Sequence, residues 1–69
     1  MIGQLFENSY GRLQVDTWEL TSGESLDVLI VDGRDETPRW IHTTVEHNGE
    51  SYYLTGLLGY NPVGLFAKI

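Results

Sequence analysis

Cysteine is absent from all 69 residues. That absence excludes a disulfide framework, a thiolate zinc site, an iron–sulfur cluster and a cysteine nucleophile. Small secreted domains usually rely on such cross-links, so a reducing, cytoplasmic setting is the expectation. Basic side chains are scarce as well: 4 Lys and Arg stand against 10 Asp and Glu, a formal net charge of −6. Binding a polyanion needs a basic footprint, so nucleic acid is disfavoured as a partner. No apolar run approaches the roughly 20 residues of a membrane helix. Residues 1–10 lack the basic region and apolar stretch of a secretory signal. No long run of residues repeats its apolar positions at helical spacing, and there is no internal repeat.

What is present argues for a folded chain. Hydrophobic residues make up 41% and charged residues 20% of the sequence, outside the range of disordered chains. Aromatic side chains at Phe6, Tyr10, Trp18, Trp40, Tyr52, Tyr53, Tyr60 and Phe66 can each bury roughly 150–250 Å². The length suits one small domain over residues 1–69, and a domain of this size buries only about 60% of its unfolded surface. Self-association is one way to add stability at such a size, so both monomer and homodimer are open.

Turn residues recur every eight to twelve positions, the rhythm of an all-β sandwich or barrel. Ile2 to Phe6 reads as a first strand and Arg12 to Val15 as a second, with Leu13 and Val15 on one face. Asp16 to Leu20 is ambiguous and is read as extending that strand through a bend, with a 3₁₀ turn near Asp16–Glu19 or Leu57–Tyr60 as an option. Thr21 to Glu24 is a turn. Ser25 to Val31 gives the strongest strand signal: Leu26, Val28 and Ile30 share one face and Asp27, Leu29 and Val31 the other. Apolar residues on both faces, at Leu29 and Val31, suggest a central strand or one whose far end is covered on both sides. Asp32 to Pro38 reads as a polar hairpin tip.

Trp40 to His47 is rich in β-branched and aromatic residues, and Asn48-Gly49 is the favoured pair for a two-residue hairpin turn. With His47 and Glu50 flanking that turn, Val45 lies opposite Tyr52, Thr43 opposite Leu54 and Ile41 opposite Gly56, a core-facing set. The other face then pairs Trp40 with Leu57, His42 with Thr55, Thr44 with Tyr53 and Glu46 with Ser51. Residues 63–69 complete the pattern as a last strand. The expected architecture is all-β: five to six short antiparallel strands in a small, partly open SH3-like barrel.

Gly11-Arg12, Thr21-Ser22-Gly23-Glu24 leading into Leu26-Asp27-Val28, Trp40, Glu46-His47, and Tyr52-Tyr53-Leu54 followed by Gly56 together resemble a family of small bacterial proteins. That family is known only as a domain of unknown function. Its members come mostly from Gram-positive bacteria, often from mobile or phage-derived elements. The resemblance runs from Gly3 to about Leu65. It implies a small all-β fold and a bacterial source, and it supplies no activity and no functional residues.

Chemistry-bearing residues are few. His42, Glu46 and His47 are the one cluster suggesting metal or acid–base work, but on a strand His42 and Glu46 share a face while His47 points the other way. The spacing also fails both zinc-protease motifs. His47 is expected to pack beside Tyr52 or to bond Glu50. Ser9, Ser22, Ser25 and Ser51 sit in or beside turns, where a hydroxyl bonding its own backbone suffices as explanation. Glu7, Asp16 and Glu19 could supply a carboxylate pair, but a filled small barrel offers no water-excluding cleft. No catalytic, cofactor-binding or metal-binding residue is therefore assigned, and no cofactor is expected.

A surface is the better functional candidate. Trp40, His42, Thr44, Tyr53 and Leu57 fall on one outward face in the register above, and Trp and Tyr are favoured at binding hot spots. The competing reading folds loops over that face and makes Trp40 core; Trp18 is a candidate plug for a barrel end. The expectation is a non-enzymatic protein-interaction module acting on an unidentified protein partner. A sharper form, drawing on the mobile-element association of the resemblance, is an inhibitor that mimics nucleic acid charge and occupies the basic groove of a host nucleic-acid enzyme. Asp32, Asp35 and Glu36 are the local acidic cluster, offset by Arg34 and Arg39. The alternatives are a small-barrel nucleic-acid-binding protein that stacks bases on Trp40, Tyr52 and Tyr53 and, behind it, a small metal-dependent enzyme.

Overall fold

Period-two alternation of apolar and polar residues, broken by glycine- and asparagine-bearing turns, produces seven strands among the described residues. The computed structural model describes residues 1–31, 37–57 and 59–69. The strands are β1 (Ile2–Glu7), β2 (Leu13–Val15), β3 (Trp18–Glu19), β4 (Ser25–Val31), β5 (Pro38–His47), β6 (Tyr52–Leu54) and β7 (Phe66–Lys68). All pair antiparallel in one strongly curled open sheet, a half-barrel, in the order β3-β2-β1-β7-β4-β5-β6. The last strand in sequence thus lies between the first strand and β4.

The curl wraps one face of every long strand around a single core. Leu5, Leu13, Val15, Leu20, Leu26, Val28, Ile30, Val45, Leu54, Leu57 and Ala67 are buried in it, with Ile41, Tyr52, Leu65 and Ile69 packed against them. Fully burying a Val, Leu or Ile side chain is worth roughly 1.5–3 kcal/mol, which is how so short a chain offsets its ordering entropy. Thr43 is the buried polar residue among those described, and its hydroxyl donates to the Thr55 carbonyl at 2.8 Å. Gly3 faces inward where β1 passes over β2; a Cβ there would stand 3.1 Å from Val15 Cγ1.

Strands β1, β4 and β5 lie where the alternation places them, and β4 is central, paired with β5 on one side and β7 on the other. Leu29 is half-buried while Val31 stays 56% exposed, so the far end of β4 is covered on one face only. Three expectations need correction. The segment Asp16–Leu20 does not prolong β2 through a bend. It reverses, pairing Val15 with Trp18 across the two-residue turn Asp16-Thr17, and so adds a strand to the five or six expected. Asp16 makes this possible by taking φ +52, a conformation that Asp tolerates better than most residues. No 3₁₀ helix forms there or elsewhere among the described residues.

The second correction concerns the Asn48-Gly49 hairpin. Its observed pairs are His47 with Tyr52, Glu46 with Tyr53 and Val45 with Leu54. The loop therefore spans four residues rather than two, and the register shifts by two. The cause is local: Asn48 Oδ1 accepts from the Glu50 and Ser51 amides, both at 2.9 Å, while Gly49 alone takes a positive φ, +95. An even shift preserves parity, so the side chains that remain within the two paired strands keep their assigned faces. Third, Pro38 belongs to β5, opposite Val31, rather than to the preceding loop. The remainder of that loop, with Asp32, Arg34, Asp35 and Glu36, lies outside the described residues.

Two outcomes follow. Leu54→Ala, which empties a site 2% exposed, should lower unfolding free energy by about 2–5 kcal/mol in a urea titration. Asp16→Gly should raise it by at most about 1 kcal/mol, since a positive φ costs most residues with a Cβ roughly 1–2 kcal/mol, less for Asp, and the freedom of Gly in the unfolded chain offsets part of the gain; a clear fall would refute the strain assigned to this turn.

Candidate functional site

The pleat that points Leu26, Val28 and Ile30 inward points Ser25, Asp27, Leu29 and Val31 outward. On β5 the buried Thr43 and Val45 leave Pro38, Trp40, His42, Thr44 and Glu46 on the outer face. Buried Ala67 likewise turns Phe66 and Lys68 outward, and buried Leu5 does the same for Ile2, Gln4 and Phe6. The pairings align these side chains in rows across the sheet. One row runs Ile2, Lys68, Asp27, His42. The next sets Gln4 beside Phe66 and Leu29 beside Trp40, and the β4–β7 register extended by one step joins the two pairs.

A solvated sheet face is ordinarily polar. Here Ile2 is 62%, Val31 56%, Phe66 50%, Trp40 41% and Phe6 40% exposed on one face. No described element packs over it. Lys68 Nζ stands 4.5 Å from the Trp40 ring centroid, within cation–π range, where the ammonium gains from the ring's negative face. His42 Nδ1 and Asp27 Oδ1 are 2.8 Å apart, a cross-strand pair between β5 and β4. Arg39 and Lys68 make no ion pair with a described carboxylate, whereas Arg12 bonds Glu19 at 3.1 Å.

Of the five outward residues expected from the sequence, four share this face. Trp40 and His42 are exposed, and Thr44 and Tyr53 are half-buried. Leu57 does not join them. It is 8% exposed and belongs to the core, because β6 ends at Leu54 and the chain then turns inward, the Leu57 amide bonding the Leu54 carbonyl at 3.1 Å. Trp40 is correspondingly not core. The residues that complete the patch are Ile2, Leu29, Val31 and Phe66. Their apolar character on the polar side of the alternation was a visible signal at Leu29 and Val31; that β7 would carry Phe66 alongside them was not.

The chemical candidates are dispersed. His47 packs beside Tyr52 with ring centroids 4.5 Å apart and the planes tilted by 59°, as one of its two expected arrangements has it, and Nδ1 accepts the Gly49 amide at 3.1 Å. Glu19 is tied down by Arg12 and by Asn8, whose Nδ2 donates to it at 2.8 Å. Among the described residues no three His, Asp or Glu side chains converge in a way that could hold a metal ion. Trp18 does not plug a barrel end: it is 51% exposed and walls a shallow apolar cleft of about 370 Å³ with Met1, Leu20, Glu24, Ser25 and Ile69.

In comparison with known proteins, a family model described as a domain of unknown function, DUF5348, matches residues 3–68. No curated protein and no solved structure matches the chain.

The assignment of Trp40 to the surface and Leu57 to the core separates their energetics. Trp40→Ala should cost less than about 1.5 kcal/mol, and Leu57→Ala about 2–4 kcal/mol, in matched urea titrations. Lys68→Ala should change Trp fluorescence with a stability loss of about 0.5–1 kcal/mol. Equal losses at 40 and 57 would contradict this surface.

Proposed function

The chain belongs to the DUF5348 family, a domain of unknown function, and from its outer face we propose a non-enzymatic protein-interaction module. The observation that carries this reading is the apolar solvent face: Trp40, Phe66, Val31 and Ile2, each at least 41% exposed on one side of one sheet. Contiguous apolar patches are uncommon on monomeric soluble proteins and mark interaction surfaces. Trp is the residue most enriched at hot spots, and Trp40 is braced by Lys68 on one side and paired with Leu29 on the other. The short, strongly curled strands fit a small barrel of the SH3-like kind, a rigid platform for such a patch. The bacterial, mobile-element setting that the sequence resemblance implies, together with the charge of −6, supports a specific form of this reading: an inhibitor occupying the basic groove of a host nucleic-acid enzyme, in the cytoplasm.

A nucleic-acid-binding reading draws on the same face, since exposed Trp40 and Phe66 beside Lys68 resemble a base-stacking platform. The scarcity of positive charge disfavours it, because phosphate neutralisation supplies most of the affinity in such proteins.

Affinity capture from a bacterial lysate should recover a protein with the native chain and lose it with a folded Trp40→Ala/Phe66→Ser double variant. Recovery of the same proteins by both would refute the patch as the binding surface. Titration with oligodeoxythymidine at low salt should leave Trp fluorescence unquenched; saturable quenching would favour the stacking reading instead.

A further inference from the structure

Sheet edges are aggregation hazards, and folded proteins keep them short or blocked. The two formal edges here obey that rule: β3 has 2 residues and β6 has 3. Strand β5, however, has 10 residues, and β6 covers only Val45 to His47 of it. Thr44 adds one further link, its carbonyl accepting the Thr55 amide at 3.1 Å. From Pro38 to Thr43 no described strand lies on that side of β5.

Alternation decides which backbone groups this leaves open. The Val45 amide and carbonyl both bond toward the β4 side, to Glu24 and Gly23, while those of Thr44 bond toward Thr55. Counting back by two, Thr43 and Ile41 direct their amides and carbonyls to β4, and His42 and Trp40 direct theirs to the open edge. Those four groups have no backbone partner among the described residues. The stretch has defined ends. Pro38 offers no N–H, and Thr44 is already bonded to Thr55.

We infer that this edge pairs with the same edge of a second copy of the chain, antiparallel across a two-fold axis at Ile41. The geometry selects that register. A two-fold centred on Trp40 would set His42 against Pro38, which lacks a donor. One centred on His42 would set Trp40 against Thr44, whose groups are taken. Centred on Ile41, Trp40 of each copy faces His42 of the other, and all four open groups on each side are satisfied. The side-chain pairs agree. Trp40 meets a His ring on the outer face, Ile41 meets Ile41 on the inner face, and Arg39 meets Thr43, so no like charges oppose each other. The pairing is isologous and closes on itself, which limits it to a dimer. It joins the two curled sheets edge to edge and makes one continuous outer surface of both Trp40 patches. An overlap of about five residues lies at the small end of specific interfaces, so the dimer is weak, in the micromolar range or above. This inference rests on backbone geometry and stands independently of the protein partner proposed above.

Sedimentation velocity on the full chain, from micromolar to millimolar, tests it with two variants. His42→Pro removes an N–H that no bond among the described residues uses, so the monomer should keep its circular dichroism spectrum while dimerisation is lost. His42→Ala removes the same side chain and its bond to Asp27 but keeps the N–H, and should still dimerise. Amide exchange on the native chain gives a readout that needs no variant. Protection at Trp40 and His42 should rise about tenfold or more with concentration, while the Ile41 amide, bonded within its own sheet, stays protected throughout. A constant monomer mass up to millimolar concentration would overturn the inference. So would self-association that His42→Pro leaves intact, or a dimer that leaves the Trp40 and His42 amides unprotected.

Discussion

The antiparallel ladder between β4 and β5, seven residue pairs from Ser25–Thr44 to Val31–Pro38, is the constraint on which the rest of the structure depends. It is the longest pairing in the sheet, and its pleat sorts side chains for both strands at once. Leu26, Val28 and Ile30 are committed to the core with Thr43 and Val45, and the same period of two commits Leu29, Val31 and Trp40 to solvent. A slip of one residue along this ladder would exchange the two sets and expose the core. Because Leu26, Val28, Ile30 and Val45 are each no more than 2% exposed, the hydrophobic effect holds the register, and Leu29, Val31 and Trp40 are turned outward with it.

From that ladder the sheet grows in two different ways. On one side β5 folds back locally through the Asn48 turn into β6. On the other, β7 arrives from the far end of the chain and inserts between β4 and β1. This second addition is non-local and is what closes the core, bringing Ala67 against Val28 and Gly3. It also carries Phe66 and Lys68 onto the outer face beside Leu29 and Trp40. The core and the candidate binding surface are therefore completed by the same three-residue strand, on its two faces.

Much of this was legible in the residues. The alternation in Ser25–Val31 and Trp40–His47 marks both long strands, and the faces of Trp40, His42, Thr44 and Tyr53 follow from parity alone. The hairpin shows how far that legibility extends. Asn48-Gly49 reads as a two-residue turn, yet the Asn48 side chain captures the amides of Glu50 and Ser51 and opens the loop to four residues. Face assignments survive an even shift, whereas the identities of cross-strand partners do not. Leu57 changes side for a separate reason: it lies beyond the end of β6 at Leu54, where the chain turns inward before reaching Trp40.

The absence of cysteine excluded metal-thiolate and disulfide designs before any fold was considered. The sequence by itself also determined the all-β class, the two long strands and which residues of each share a face, because side-chain period is a property of the local backbone. Tertiary structure alone decided three further things. It placed β7 between β1 and β4, turned Asp16–Thr17 into a reversal, and left Pro38–Thr43, among the described residues, with a strand on the β4 side only. Each depends on where distant segments meet, and a residue's own neighbours in the chain carry no information about that.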